Sequence, residues 1–233
     1  MTIPRIIPVG ILAASGAGGG SSIPLSDLYT GDTVNMYEYN PATDSYQNVK
    51  FVKLQNTYVG ANTTYNVCSL IRQHCIFQKD SETISSASTG DLGAVDPASF
   101  TGFEEYYPNV KNIMETVSVG WYSNSSHTMA AVSTKVFLAS VTEFGTYSNR
   151  DIGGASISGL GQTASDAGSN NWLRTGYYSS SRSYRYYVNT SASTSSTRST
   201  TTYYYMRPMF CLPQNTPVVA NTDPNIAADY VLA

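Results

Sequence analysis

One segment, from Tyr177 to Pro208, restricts the possible folds of this chain more than any other. Its sequence is YYSSSRSYRYYVNTSASTSSTRSTTTYYYMRP, with eight tyrosines, four arginines and no Asp, Glu or Lys. The segment is too aromatic for a linker and too rich in hydroxyl groups for a hydrophobic core. Tyr, Thr and Ser are ordinary residues of a β-sheet surface, so this composition leaves open whether the segment binds a ligand or only covers a sheet.

The composition of the whole chain is consistent with a surface-exposed β protein. Apolar residues make up 41% of the 233 residues and charged residues only 12%, about half the usual charged share. Ser, Thr, Asn and Gly fill the difference, as in many secreted and virion-surface proteins. A chain of this size can bury a sizeable core without disulfides. The net charge of −3 argues against nucleic-acid binding, which requires a basic field.

The cysteines and histidines indicate no disulfide framework and no metal site. An odd count of three cysteines is not a framework. Cys68 and Cys75 lie seven residues apart and would share one face of a helix, so we expect buried free thiols. No CxxC pair and no histidine cluster with metal-ligand spacing occurs. No apolar run approaches the roughly 18 residues of a membrane span, so membrane insertion is not expected.

The N-terminus admits two interpretations. MTIPRIIPVGILAASGAGGG has the basic, apolar and small-residue order of a signal peptide, but prolines interrupt its short apolar run. The alternative is an attachment arm over 1–24 with a Gly/Ser hinge, which would dock on a neighbouring subunit. We therefore expect an arm at 1–24, a domain at 25–213 and a polar tail at 214–233.

Local patterns predict more strand than helix. Period-two alternation and apolar runs predict strands, and the spacing of apolar residues in TYNVCSLIRQHCIFQK predicts one amphipathic helix. The polar, Gly-rich segments 80–102 and 146–170 are expected to be loops. The predicted strands are Thr33–Tyr39, Val49–Leu54 and Lys135–Ser140, and the predicted helix is Thr64–Lys79.

The sequence offers no basis for catalysis. It has no G-x-S-x-G elbow, no P-loop and no dinucleotide-binding fingerprint. Glu104 and Glu105 are adjacent in sequence and do not face each other as an acid/base pair would. Asp91 and Asp96 do not match a calcium loop. We therefore expect a protein that is not an enzyme and needs no cofactor.

Three motifs carry a resemblance to a known family. TKVFLASVTEFG is followed after a loop by NWLRT, and MRPMF comes some thirty residues later. This order resembles a C-type-lectin-like domain family of gut bacteria and their phages, with a KVFLLS…WWLRS…IRPA pattern. The segment TYNVCSLIRQHC is similar to the family's YxxSxIRxxLN element. The resemblance covers about residues 50–213.

The resemblance implies an α+β fold of the C-type-lectin-like class, with mixed or antiparallel sheets and one clear amphipathic helix. The same broad fold serves the variable proteins of diversity-generating retroelements and the formylglycine-generating enzymes. This chain lacks the Glu-Pro-Asn and Trp-Asn-Asp triplets of calcium-dependent lectins, and Cys211 has no paired cysteine for formylglycine chemistry. Ligand binding is the function that remains.

In such a fold, the residues between Trp-Leu-Arg and Arg-Pro display side chains on one exposed face. Tyr supplies rigid amphipathic contact area and Ser supplies adaptable hydrogen bonds. The predicted ligand-binding residues are Tyr177, Tyr178, Tyr184, Tyr186, Thr194, Thr197, Arg198, Thr201, Tyr203 and Tyr204. The predicted scaffold residues are Trp172, Arg174, Val188, Arg207 and Pro208. The alternative is that these tyrosines only stabilise the sheet surface.

The resulting hypothesis is a phage virion protein of the tail-fibre or adhesin type, located on the virion surface. Its arm would contact other virion proteins, and its Tyr/Ser/Arg-rich face would bind a bacterial surface glycan or protein. We also expect a homo-oligomer. The alternatives are a capsid or tail decoration (cement) protein and a secreted or cell-surface adhesin. The Tyr/Ser/Thr bias also matches retroelement templating, which would make 175–206 variable.

Overall fold

The computed structural model describes residues 20–40, 43–73, 100, 102–123, 128–140, 143, 171–179, 182–188, 194–197 and 206–233. These residues form strands with short 3₁₀ segments at Leu25–Asp27 and Phe103–Tyr106. The strands are β1 (Ile23–Pro24), β2 (Thr33–Asn40), β3 (Ser45–Gln55), β4 (Tyr58–Val59), β5 (Thr64–Tyr65), β6 (Val67–Arg72), β7 (Val117–Ser123), β8 (Thr128–Thr134), β9 (Val136–Leu138), β10 (Asn171–Ser179), β11 (Arg182–Val188), β12 (Thr194–Thr197), β13 (Pro208–Pro213), β14 (Pro217–Ala220) and β15 (Tyr230–Leu232).

The main sheet has eight strands in the order β1-β14-β15-β2-β3-β6-β13-β9. Its neighbours are antiparallel except β15 and β2, which pair in parallel through Tyr230 and Val34. Strands β10, β11 and β12 form a second antiparallel sheet. Two hairpins, β4–β5 and β7–β8, complete the strand pairing of the described residues.

The main sheet is strongly curved, as the short link between β13 and β14 shows. Five strand spacings of about 4.8 Å would separate these strands by about 24 Å in a flat sheet. The chain joins Pro213 to Pro217 in four residue steps, which reach at most about 15 Å. The sheet therefore curls until β14 lies near β13, and its strands share an apolar cluster that we call the inner core.

Both faces of the central strands are buried. In β6, Cys68 and Leu70 belong to the inner core. Val67 and Ile71 belong to a second cluster on the opposite face, which we call the outer core and which β7 covers. Aromatic contacts stabilise the inner core, where the tilted rings of Phe51 and Phe210 have centroids 4.6 Å apart. Residues of opposite faces alternate along each strand, so β6 is apolar nearly throughout.

This double burial explains why the predicted fold class is wrong. The described residues are mainly β-sheet, and no helix among them reaches seven residues. The predicted amphipathic helix over Thr64–Lys79 begins instead with β5 and β6, and residues 74–79 lie outside the described ranges. The apolar residues of β6 face two different clusters, yet their spacing along the chain equals that of a helical face. The α+β, C-type-lectin-like prediction is therefore replaced by a mainly β fold.

Both ends of the described chain enter the main sheet. Ile23 pairs with Val218 in β14, and the backbone N–H of Leu25 donates to the Thr216 carbonyl at 2.8 Å. The segment 214–233, predicted as a tail, supplies β14 and β15. Of the predicted arm over 1–24, residues 1–19 lie outside the described residues, and Ile23–Pro24 forms β1. The predicted loop 146–170 and most of 80–102 also lie outside them.

The other predicted strands have counterparts in the structure. Thr33–Tyr39 and Val49–Leu54 lie within β2 and β3. The predicted strand over Lys135–Ser140 contains β9, which is only three residues long. Cys68 and Cys211 are buried free thiols, and Cys75 lies outside the described residues.

Candidate ligand-binding sheet

The tyrosine-rich segment supplies the three-stranded sheet β10–β11–β12, which we call the Tyr-rich sheet. Tyr177 pairs directly with Tyr184, and Tyr178 pairs with Ser183. On the other side of β11, Tyr186 pairs with Ser196 and Arg185 with Thr197. Hydroxyl-bearing and aromatic residues thus occupy facing positions on neighbouring strands.

The strand register divides the predicted ligand-binding residues between two faces. Directly paired residues share a face of an antiparallel sheet, and successive residues of one strand alternate between faces. Tyr178 and Thr197 therefore lie on the face opposite to the other described members. Those others are Tyr177, Tyr184, Tyr186 and Thr194. The remaining predicted members, Arg198, Thr201, Tyr203 and Tyr204, lie outside the described residues.

The base of β10 is fixed in the body of the protein. Trp172 is 1% exposed and belongs to the inner core, whereas Leu173 belongs to the outer core. The backbone N–H of Arg174 donates to the carbonyl of Ala139 at 2.9 Å. The register of β10 with β11 is irregular between Trp172 and Gly176, directly after this anchored base. A rigid base and a bulge next to it are suited to aim a sheet in a defined direction.

Arg174 fastens the Tyr-rich sheet to the main sheet through a buried ion pair. Its Nη2 donates to Oε1 of Glu143 at 2.6 Å, and its Nη1 also donates to Oε2 of the same carboxylate. Nη1 donates in addition to the Leu138 carbonyl at 2.7 Å, and Nε to the Gly120 carbonyl at 2.9 Å. The guanidinium is thereby held between β7, β9 and β10. Bidentate arginine–carboxylate pairs are the most directional of protein ion pairs.

The Arg174–Glu143 pair also sets the electrostatics of its surroundings. Burial acts to lower the pKa of Arg174, but the Glu143 charge, the neighbouring Tyr58 and the hydrogen bond to Glu143 together outweigh it, and the net shift is upward. The Tyr58 hydroxyl lies 3.5 Å from Nη2 of Arg174. Burial first, and the Glu143 charge second, raise the pKa of Tyr58. At neutral pH this site is an ion pair next to a neutral phenol, which is a structural joint.

A second arginine anchors the other end of the tyrosine-rich segment. Arg207, which is 3% exposed, donates from Nε to the Arg72 carbonyl at 3.1 Å and from Nη2 to the Gln73 carbonyl at 2.6 Å. Pro208 follows it as the first residue of β13 and is buried. Val188 ends β11, where it pairs with Asn171 and Thr194. The tyrosine-rich segment therefore leaves and re-enters the main fold through buried arginines.

A further buried ion pair, which sequence reasoning did not find, joins β2 to β6. Glu38 is 2% exposed and accepts from Nε and Nη2 of Arg72, both at 2.8 Å. It also accepts from the Tyr107 hydroxyl at 2.9 Å and from Gln47 at 3.0 Å. Burial and the Glu38 charge raise the pKa of Tyr107. With four donors on one carboxylate, the cluster is satisfied internally and holds the sheet together.

Within the described residues, no group of three His, Cys, Asp or Glu side chains is placed to hold a metal ion. Across the same ranges, no helix has the length and apolar character needed to cross a membrane.

Comparison with known proteins identifies one matching family. A family model described as a domain of unknown function (DUF6273) matches residues 55–214, more than half of the chain. No curated protein and no solved structure matches significantly. The matched range begins at the last residue of β3 and ends just after β13, so it contains the Tyr-rich sheet and both buried arginines that flank it. Strands β1, β2, β14 and β15 lie beyond it.

Proposed function

We propose that this chain, which belongs to the DUF6273 family of domains of unknown function, is a phage virion protein that binds a bacterial surface ligand through its Tyr-rich sheet. The observation that carries the proposal is a strand segment rich in Tyr, Ser, Thr and Arg that follows a rigid, buried base. The binding surfaces of antibodies are rich in the same residues, because tyrosine gives a large contact area at a low cost in conformational entropy.

The anchoring of the sheet supports binding over mere covering of the surface. At one end of β10, the buried Trp172 side chain and the buried Arg174–Glu143 ion pair hold the strand in place. Arg207 does the same where the segment ends. A preorganised surface loses less entropy on association, and this raises affinity for a given set of contacts. The N-terminal residues before β1 would attach the protein to the particle.

Binding of the purified full-length protein to a panel of gut bacteria tests the proposal. The variant carries Tyr177→Ser, Tyr184→Ser and Tyr186→Ser, and the control carries Tyr29→Ser at a tyrosine that is 82% exposed elsewhere. Loss of contact residues at an interface centre costs at least tenfold in affinity, or about 1.4 kcal/mol. We expect the triple variant to lose binding and the control to keep it, with equal melting temperatures.

Two results would contradict the adhesin function. Binding by the triple variant at the wild-type level would show that these tyrosines of the Tyr-rich sheet are not part of the interface. Absence of binding to any cell, together with poor assembly of the triple variant onto particles, would instead favour a cement protein whose tyrosines contact other virion subunits.

A further inference from the structure

We infer that the ligand of the Tyr-rich sheet is an acidic polysaccharide, bound on the face that carries Tyr177, Arg182, Tyr184 and Tyr186. The inference rests on the proposed function and specifies the chemistry of the ligand and the face that receives it.

The first argument is charge. The segment 171–213 holds five of the chain's thirteen Lys and Arg residues and none of its sixteen Asp and Glu residues. Arg174 and Arg207 are buried and donate to Glu143 and to backbone carbonyls. The other two arginines in the described strands of this segment are Arg182 and Arg185, both in β11. An otherwise acidic protein thus concentrates positive charge on one sheet, which attracts an anionic partner.

The second argument is register. Arg182, Tyr184 and Tyr186 are alternate residues of β11 and share one face, and Tyr177 joins them because it pairs with Tyr184. Ser179 and Ser196 occupy the same face as partners of Arg182 and Tyr186. From Arg182 to Tyr186 this face extends about 13 Å along the strand. It therefore offers a row of contacts to successive units of a chain molecule.

The third argument is chemical fit. Aromatic rings offer flat apolar faces to the C–H faces of sugar rings, and their hydroxyls offer polar edges. Serine hydroxyls both donate to and accept from sugar hydroxyls. A guanidinium binds a carboxylate through two parallel hydrogen bonds. A polysaccharide with carboxylate groups uses all three kinds of contact, whereas a neutral glycan uses only the first two.

The opposite face of the same strands provides a matched control. Tyr178 and Arg185 lie on it by register, adjacent in sequence to Tyr177 and Tyr184. The substitutions Tyr178→Ser and Arg185→Gln therefore remove the same chemical groups from the same strands on the other side. Any effect that depends only on net charge or on strand stability should be equal for both faces.

The experiment measures binding of the full-length protein to polygalacturonate, alginate and hyaluronate by affinity electrophoresis and calorimetry. Fully methyl-esterified polygalacturonate and dextran serve as neutral polysaccharides, and poly-glutamate and single-stranded DNA as anions without sugar carboxylates. We expect at least one acidic polysaccharide to bind at least tenfold more tightly than every control polymer. Because exposed charges are screened, this preference should fall as salt rises. Tyr177→Ser and Arg182→Gln should each weaken binding at least fivefold, and Tyr178→Ser and Arg185→Gln less than twofold.

The inference and the proposed function fail in different ways. Binding to no acidic polysaccharide, equal binding to the esterified polymer or equal binding to poly-glutamate or DNA overturns the inference. Equal losses from the two faces also overturn it. If cells are still bound in a way that requires Tyr177, Tyr184 and Tyr186, the proposed function stands without it. Wild-type cell binding by the triple variant overturns the proposed function whatever the polysaccharide results.

Discussion

At the scale of single residues, the main sheet contains a buried hydroxyl without a hydrogen-bond partner. Ser69 in β6 is fully buried, and no described atom pairs with its Oγ. A buried polar group left unpaired costs about 1–3 kcal/mol, whereas loss of one oxygen leaves only a small void. We therefore predict that Ser69→Ala raises the free energy of unfolding by about 1 kcal/mol, measured by urea denaturation.

A matched substitution makes that prediction specific. Thr134 is also buried, but its hydroxyl donates to the Val136 carbonyl at 2.9 Å. Thr134→Val likewise removes one hydroxyl and should lower stability by about 1 kcal/mol. A loss of stability in both variants would show that the Ser69 hydroxyl is hydrogen-bonded in solution.

Single-residue patterns in the sequence indicated some of the anchoring residues but not their partners. Trp172, Arg174 and Arg207 were assigned to the scaffold from the motifs that contain them, and the structure buries all three. Glu143, which lies within one of those motifs, received no role. It is 31 residues from Arg174 in sequence, and no local spacing rule predicts an ion pair over that separation. The Glu38–Arg72 pair escaped prediction for the same reason.

At the scale of elements, the sequence predicted β2, β3 and β9 as strands but assigned β6 to a helix. β2 and β3 form a hairpin, and the alternation of polar and apolar residues along these strands is visible in the sequence. In β6 the apolar residues at Val67, Leu70 and Ile71 face two different cores. Their spacing equals that of one helical face, so periodicity alone cannot separate the two structures. The segment becomes a strand because it pairs with β3 on one side and β13 on the other.

The joint between the Tyr-rich sheet and the main sheet depends on Glu143. Glu143→Gln would leave the buried Arg174 guanidinium without its anion, and the amide could not accept both hydrogen bonds. Removing one partner of a buried pair typically costs about 3–5 kcal/mol. We predict a loss of about 3 kcal/mol in the free energy of unfolding and faster hydrogen exchange of the β10 amides.

The ion pair of Glu105 with Lys111 supplies the control for that joint. Its N–O distance is 2.6 Å, but its side chains are 35% and 25% exposed. Glu105→Gln should therefore change stability by less than about 1 kcal/mol and leave β10 exchange unchanged. Equal effects of the two substitutions would mean that the Glu143 pair contributes no more than a surface pair.

At the scale of the whole molecule, the sheet is completed by pairings between the two ends of the chain. Thr33 donates to Asp229, 196 residues away, at 2.6 Å, and β15 pairs in parallel with β2. The segment 214–233 was predicted as a tail because its polar, proline-bearing sequence shows no sustained alternation. Its short strands bury apolar residues only because the curved sheet brings β14 and β15 beside the N-terminal strands.

The same enclosed architecture makes stability depend on pH in the alkaline range. Burial raises the pKa of Cys68 from 9.0 to about 11 and raises the pKa of Cys211, Tyr58 and Tyr107 above the usual values of 9.0 and 10.0. The folded protein therefore keeps protons that the unfolded chain loses. Their contribution is fully present below about pH 9 and is lost as pH rises through the unfolded and then the folded pKa values.

Lys53 has the opposite effect on the pH dependence of stability, but it is one group against the four whose pKa values are raised. Burial lowers its pKa from 10.5, so the unfolded chain holds its proton longer and stability increases with pH just below 10.5.

We predict a net fall in the free energy of unfolding between pH 9 and 11, measured by urea denaturation. Tyr107→Phe should lower stability at pH 7, because Glu38 loses a donor, and should flatten the decline above pH 10. Tyr29→Phe, at an exposed tyrosine, should leave the decline unchanged. A wild-type curve that stays level to pH 11, or one with the same slope in Tyr107→Phe, would show that these buried groups do not govern alkaline unfolding.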